Sequence, residues 1–344
     1  MLSRKQLKTI DGDNESDMKI FDAMKQYGFF KAVVAAVVLL MAVAVEAKQK
    51  PDTLRVLYWN IQNGMWADQH NNYDNFVEWV RKYDPDVCIW AEAKSRYISH
   101  RNVKMKEEDH YLIKGWGELA ARYGHQYWEH GGHRDGFPQV VTSKYPIEVI
   151  NQIVGEEPDK VVSHGAGHFL LKIAGKKINI VTLHTWPQKY AFNAKDPKAS
   201  GEANGGDAYR LMEMEYICTH TIGQEKKAHK QLWLMAGDFN ARSIKDKEIY
   251  GWPDDDSRYW VHNYILENTP YLDVIRERYP DEFHETVSWP SRIDFVYCTP
   301  ALYDMITDAY VVRDEWTGNI VKHPEFAFKY PSDHRPILVD IKLR

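Results

Sequence analysis

Cysteine is scarce: Cys88, Cys218 and Cys298 are the only three in 344 residues. Three cysteines cannot build a disulfide framework, and no Cys/His cluster has the spacing of a structural zinc site. Positive charge is not in excess. Lys+Arg is 44 against 49 Asp+Glu, a net charge of −5. That excludes a protein whose whole surface grips nucleic acid by charge, though not one with a local basic groove. No apolar run reaches the roughly 20 residues that a bilayer span needs. The most apolar stretch, AVVAAVVLLMAVAV, covers only 32–45. After residue 50 there is no repeat and no low-complexity segment.

That short apolar run fits the core of an export signal. Lys31 precedes it, and Val45-Glu46-Ala47 puts small residues at −3 and −1 of a cleavage site after Ala47. Residues 1–47 are therefore read as an export segment, with Met18 or Met24 as a more ordinary start. An uncleaved N-terminal anchor is the alternative. No cysteine follows the run, which argues against lipoprotein processing. The expected location is periplasmic or extracellular. Residues 48–344 keep the −5, because the segment removes six basic and six acidic residues. With 44% hydrophobic and 27% charged residues the composition is globular. The cysteines are read as small buried hydrophobes.

Length allows two domains or one large α/β domain. The apolar runs are short and β-rich. LRVLYWNI (54–61) alternates as a strand does. Phe76, Trp79, Val80 and Tyr83 form a helical stripe over 73–83, closed by Asp84-Pro85-Asp86. VCIWAE (87–92) reads as a buried strand, and 111–123 as a helix. QVVTS (139–143) and IEVINQIV (147–154) read as a hairpin-like pair around Tyr145-Pro146. HFLLKI (168–173) and INIVTLHT (178–185) form another pair. Residues 208–222 predict a helix with Leu211, Met214, Ile217 and Cys218 on one side. LWLMAGDF (232–239), RIDFVYC (292–298) and PILVDIKL (336–343) are further strands. Residues 186–207 and 251–262 are long polar loops carrying aromatics, expected as lids or disorder. Strand pairs beside βα units predict two packed sheets with outer helices.

Polar residues recur at the ends of these strands: Asn60, Glu92, His184, Asp238 with Asn240, Asp294, and Asp333 with His334. A charge in an apolar run is costly unless paired or metal-bound. Six such interruptions point to one convergent site between the sheets. Glu92 and Asp333 are hard oxygen donors suited to Mg²⁺ or Mn²⁺. His334, held by a carboxylate such as Asp294, can donate to a phosphate oxygen or shuttle a proton. Asp238 and Asn240 share a face if the strand continues, one to orient a water and one a phosphoryl oxygen. These are the parts for metal-assisted phosphoester hydrolysis.

The series WNIQNG (59–64), DVCIWAE (86–92), VTLHTW (181–186), GDFNA (237–241), RIDFVY (292–297) and SDHRPI (332–337) resembles the endonuclease/exonuclease/phosphatase superfamily. That superfamily includes pancreatic deoxyribonuclease, abasic-site endonucleases, inositol-polyphosphate phosphatases and bacterial sphingomyelinases. The resemblance implies a four-layer α/β sandwich, two packed mixed sheets flanked by helices. It implies Asn60, Glu92 and Asp333 at the metal, with Glu92 the main ligand. Asp238 would position or deprotonate the water, and Asn240 would hold a phosphate oxygen. His334, oriented by Asp294, would contact the scissile phosphate, and His184 would lie near the leaving group. Two positions depart from the pattern: Gln62, where some nucleases carry a metal-holding Asp, and Ala91, where Gln is common.

The resemblance implies a phosphoester and leaves its carrier open, because recognition resides in loops. A nuclease is the first expectation, since Trp186, Tyr190, Phe192, Trp252, Tyr259 and Trp260 could stack on bases. A phosphatase or sphingomyelinase-like phospholipase acting on a lipid headgroup or small phosphodiester is the alternative. An inactive binding protein on the same fold is a remote third. The same loop aromatics could simply pack the lids. A monomer without an obligate protein partner is expected. The motifs run through all of 59–337, so one catalytic domain is expected over 48–344.

Overall fold

Alternation along a strand sends successive side chains to opposite faces. In the first strand, β1 (Thr53–Asn60), both faces are buried. Leu54, Val56 and Tyr58 belong to one apolar cluster, Leu57 and Trp59 to another. A strand buried on both faces must lie inside a layered structure. This computed structural model describes residues 51–95, 115–132, 137–155, 161–318, 321–322, 327–328 and 330–344. The segment read as an export signal and residues 111–114 of the second expected helix lie outside them. Pro51–Arg344 forms one compact unit.

The further strands are β2 (Val87–Ala91), β3 (Tyr127–Gly131), β4 (Gln139–Ser143), β5 (Ile147–Ile153), β6 (Ala166–Ile173) and β7 (Lys176–His184). After them come β8 (Leu232–Asp238), β9 (Leu272–Asp273), β10 (Asp294–Cys298) and β11 (Ile306–Val311). A short ribbon, β12 (Val321–Lys322) and β13 (Ala327–Phe328), precedes β14 (Ile337–Lys342). One six-stranded sheet has the order β11-β14-β1-β2-β4-β3, the other β5-β6-β7-β8-β10-β9. Each is antiparallel except for one central parallel pair, β1–β2 and β7–β8. The sheets are mixed and flanked by helices, as expected.

Three apolar interfaces separate the four layers. Between the sheets lie Val56, Ile89, Phe169, Ile180, Leu234, Val296 and Val339. Outside the first sheet, Trp59 and Trp90 meet Phe76, Val80, Trp116 and Leu119. Outside the second, Leu183, Met235 and Tyr297 meet Met214, Ile217, Val261 and Ile265. The helix Asp74–Tyr83 is the expected stripe: Phe76, Val77, Trp79 and Val80 are buried. It stops at Asp84, whose φ of 46° is left-handed and which Pro85 follows. All three cysteines are buried and free. No helix among the described residues is long and apolar enough to cross a membrane.

Two readings need correction. The hairpin-like pair 139–154 is not a pair: β4 joins β2 and β3, while β5 joins β6. Tyr145-Pro146 hands the chain from one sheet to the other, and proline carries no N–H with which to continue a ladder. The helix expected over 208–222 is Gly205–Thr219, and its buried face includes Arg210 and Glu213 while Leu211 is only half-buried. Both polar groups serve the loop after β7, a role that apolar periodicity does not register. The pair β6–β7 forms as expected, through a tight turn in which Ala174 and Gly175 have φ of 53° and 83°.

His125 packs under the first sheet, bonded to Thr142 Oγ1 at 2.9 Å and to the Pro85 carbonyl at 2.8 Å. Burial pulls its imidazole down to about 4. A depressed histidine contributes its full stability above the unfolded value near 6.5 and loses it as pH falls toward the folded value. Between pH 7 and pH 4.5 this one group should cost about 2–3 kcal/mol. Urea unfolding at the two pH values measures it. His125→Gln should shrink the acid loss by that amount; an equal loss in both proteins would disprove the assignment.

Candidate active site

The pairing registers bring the polar strand ends together. Asn60 lies opposite Ala91 in the parallel pair β1–β2, so Glu92 follows one residue beyond. His184 lies opposite Asp238 in β7–β8, and Asp238 opposite Asp294 in β8–β10. β14 runs antiparallel to β1 with Tyr58 opposite Ile337, which delivers the preceding Asp333-His334 to the same end. Phase does the rest. Asn60 continues Val56 and Tyr58, Asp238 continues Leu234 and Ala236, His184 continues Ile178 and Ile180, and Asp294 precedes Val296 and Cys298. Each therefore belongs to the inter-sheet face.

Glu92 is held from both sides. Its Oε2 accepts from the Asn63 backbone N–H at 2.8 Å and its Oε1 from Asn60 Nδ2 at 3.3 Å. Asn60 Nδ2 also donates to Asp238 Oδ2 at 3.0 Å, and its Oδ1 accepts from the Gln62 N–H at 3.0 Å. Gln62, Asn63 and Glu92 have φ of 48°, 50° and 53°. Left-handed conformations are costly for such residues and cluster at functional sites. Gly64, φ 69°, closes the turn, since a Cβ there would lie 2.6 Å from the Ser95 nitrogen.

Asp238 is buried, and Asn240 donates its backbone N–H to Oδ1 at 2.9 Å. The strand does not continue to Asn240: β8 ends at Asp238, and Asn240 turns away with φ 47°. Its amide instead donates to the Thr185 carbonyl at 3.1 Å, which joins the ends of β7 and β8. His184, with no carboxylate partner evident in the sequence, has its Nε2 3.6 Å from Asp238 Oδ2. Burial dominates its titration and lowers it, against an opposing pull from Glu92.

His334 Nδ1 is 2.8 Å from Asp294 Oδ2, and its Nε2 is 3.8 Å from Asp238 and 3.9 Å from Asp333. Burial works against charge on this ring, but Asp294, Asp333 and Asp238 outweigh it and hold its pKa well above the ordinary value. Asp238 moves the other way. Burial, then the nearby Asp294, raises its proton affinity, against His334 and two hydrogen bonds. Burial likewise raises Glu92, opposed by His184 and His334 and reinforced by Asp333.

Three supporting residues escaped the sequence reading. Tyr58 donates to Asp294 Oδ1 at 2.7 Å. Thr286 Oγ1 accepts from the Asp294 N–H at 3.0 Å, and Ser332 Oγ donates to the Asn60 carbonyl at 2.7 Å. Only Tyr58 left a signal, a hydroxyl in the inward phase of a strand.

These groups open into a cleft of about 890 Å³ lined by Glu92, His184, Asp238, Asn240, Asp333 and His334. Arg242, Arg258, Trp252, Trp260 and Trp289 form part of its walls. Most loop aromatics pack on their neighbours. Trp186 meets Phe192 edge-on at 4.9 Å, Tyr259 is buried, and Trp252 stacks on Tyr250 at 4.8 Å. Glu213 anchors the loop after β7 by accepting from the Trp186 N–H at 2.8 Å. Trp289, 44% exposed, is a rim aromatic that the sequence reading did not single out.

Asp238, Asp294 and His334 present ligand atoms within 4.8 Å of one another, a possible metal site. Both Asp294 oxygens, however, are already engaged by Tyr58 and His334. The hard oxygens of Glu92 and Asp333, both facing the cleft, suit a small divalent cation better. Glu92 has one long hydrogen bond, and burial disfavours its charge, so a cation there would relieve it. The donor set fits Mg²⁺ or Mn²⁺.

Comparison with known proteins agrees with this fold. The fold is similar to that of an AP endonuclease from Archaeoglobus fulgidus (19% identity, 83% of this chain, 98% of that one, TM-score 0.52). It is similar to the 3' phosphatase NExo from Neisseria, bound to a product DNA hairpin (14% identity, 84% and 99%, TM-score 0.52). It is also similar to the human Nocturnin catalytic domain with a bound sulfate anion (13% identity, 85% and 94%, TM-score 0.51). No curated protein sequence matches the chain significantly. Residues 57–334, which carry every polar strand end described above, match the Endonuclease/Exonuclease/phosphatase family, and the chain belongs to that family.

Proposed function

We propose that this chain is a divalent-metal-dependent phosphodiesterase acting on nucleic acid. One observation carries the reading: the Asp294–His334 pair, 2.8 Å apart, faces buried Asp238 in a cleft shared with Glu92 and Asp333. Family membership supports phosphoester hydrolysis. Nucleic acid is favoured over lipid by the exposed Trp289 in a cleft wall that also carries arginines, which offers a stacking surface for a base. The AP endonuclease and the DNA-bound phosphatase share this fold, which agrees with that choice. The lining mixes acids and bases, so the substrate is a short stretch of strand and not a long duplex held by charge.

Glu92, Asn60 and Asp333 would hold the ion, which supplies Lewis-acid stabilisation of the phosphoryl oxygens when bound. Asp238 takes a proton from the attacking water, its affinity for that proton raised by burial. Asn240, through the amide hydrogen not used on the Thr185 carbonyl, and the charged His334 donate to non-bridging oxygens, and Asp294 keeps the imidazole oriented. His184 attends the leaving oxygen. The P–O bond to that oxygen breaks as the water oxygen bonds to phosphorus. The export segment over residues 1–47 is part of the same proposal; N-terminal sequencing of the processed protein tests it.

Plasmid DNA, single-stranded oligonucleotides, RNA, bis(p-nitrophenyl) phosphate and sphingomyelin form the test panel, each with Mg²⁺ and with EDTA. Mg²⁺-dependent cleavage of a nucleic acid is expected. Intact nucleic acids with hydrolysed sphingomyelin would move the reading to a phospholipase. Glu92→Gln should lower kcat at least about 100-fold and abolish the thermal shift produced by Mn²⁺. An unchanged rate and thermal shift would remove Glu92 from the metal.

Asp238→Asn should cost about 10²–10⁴ in kcat. The wild-type rate should fall on acidification with a midpoint above the ordinary aspartate value of about 3.9, because the base form is lost through a raised pKa. His334 is also raised, so its charged form persists through neutrality, and losing that charge adds a second decline on the alkaline side. A rate that does not fall between pH 7 and pH 4 would refute Asp238 as the base.

A further inference from the structure

The arginines around the cleft differ in one respect. Arg210 is ion-paired with Asp207. Arg258 is paired with Asp256 at 2.6 Å and lies 3.3 Å over the Trp252 ring. The fully buried Arg292 has two carboxylates, Asp246 and Asp273, each at 2.7 Å. Arg242 lines the same cleft, half-buried, and has no carboxylate within ion-pair distance among the described residues. Its guanidinium makes one hydrogen bond, from Nε to Ser291 Oγ at 3.2 Å. Its backbone is fixed by donation to the Arg258 carbonyl at 3.0 Å. The two terminal nitrogens have no hydrogen-bond or ion-pair partner among the described residues.

A cation withdrawn from water without a counter-ion is unfavourable. The fold pairs the other two arginines that line the cleft, Arg210 and Arg258, and leaves this one, two residues beyond Asn240 on the same loop. A planar guanidinium with both terminal nitrogens available matches a phosphate in a bidentate fork. Lys189, exposed on the cleft lining, adds a second cation with no carboxylate partner among the described residues. Resting on the phosphodiesterase reading above, we infer that Arg242 forms an anion subsite that binds a second substrate phosphate, next to the one at Asn240 and His334. It is a specificity residue: it selects substrates carrying two phosphates, whether neighbours along a strand or both on one small molecule.

Calorimetric titration in EDTA tests the subsite without turnover. The probes are adenosine 3',5'-bisphosphate against adenosine 5'-monophosphate, and myo-inositol 1,4-bisphosphate against inositol 1-phosphate. The wild type should prefer the bisphosphate about tenfold or more in one series, and that series names the source of the second phosphate. Arg242→Gln should remove the preference and Arg242→Lys restore part of it, with unfolding temperatures near that of the wild type. Arg258→Gln removes the same charge from the wall and should keep the preference. Equal affinities in the wild type, or a preference that survives Arg242→Gln, overturn the subsite. Failure of the phosphodiesterase reading would appear separately, as absence of Mg²⁺-dependent hydrolysis across the substrate panel.

Discussion

Asp294 is buried between two sheets and accepts hydrogen bonds from the opposite sheet on both oxygens. Tyr58 of β1 donates to one and His334, leading into β14, reaches the other. Asn60 crosses the same gap to Asp238. The groups of the candidate site are thus also the polar ties at the end of the inter-sheet core. A buried carboxylate without partners would cost several kcal/mol, so sheet packing and site assembly satisfy one another. Neither sheet alone contains a complete site.

The same enclosure sets the protonation states. Desolvation raises the two carboxylates, Glu92 and Asp238, and lowers His184, while His334 keeps its charge because three carboxylates surround it. Two histidines in one cleft therefore stand on opposite sides of their ordinary value. Backbone strain serves the same end. The left-handed residues Gln62, Asn63, Glu92 and Asn240 stop their strands abruptly and turn backbone N–H groups toward Asn60, Glu92 and Asp238.

Much of the site was legible because each member interrupts an apolar run, and apolar runs advertise strands. Asn60, Glu92, His184, Asp238, Asp294 and His334 were all visible in this way, and the structure brings them to one cleft with Asn240 and Asp333. Tyr58, Thr286 and Ser332 were not, because nothing in a sequence separates a hydroxyl that bonds a buried carboxylate from one that meets water. Glu213 was missed on a helix judged by its apolar face alone. The join between β4 and β5 was misread because two strands close in sequence usually pair, and only packing decides that they part.

Residue order determined where strands begin and stop, which faces are apolar, and that hard oxygen donors and a histidine stand at the strand ends. Those properties are local, set by alternation and by the cost of burying charge. Tertiary structure decided that parallel registers align the ends, that His184 finds Asp238, and that Arg242 alone among the arginines lining the cleft makes no ion pair among the described residues. Such facts depend on distances between segments far apart in the chain. They become definite only when two sheets close on a shared core.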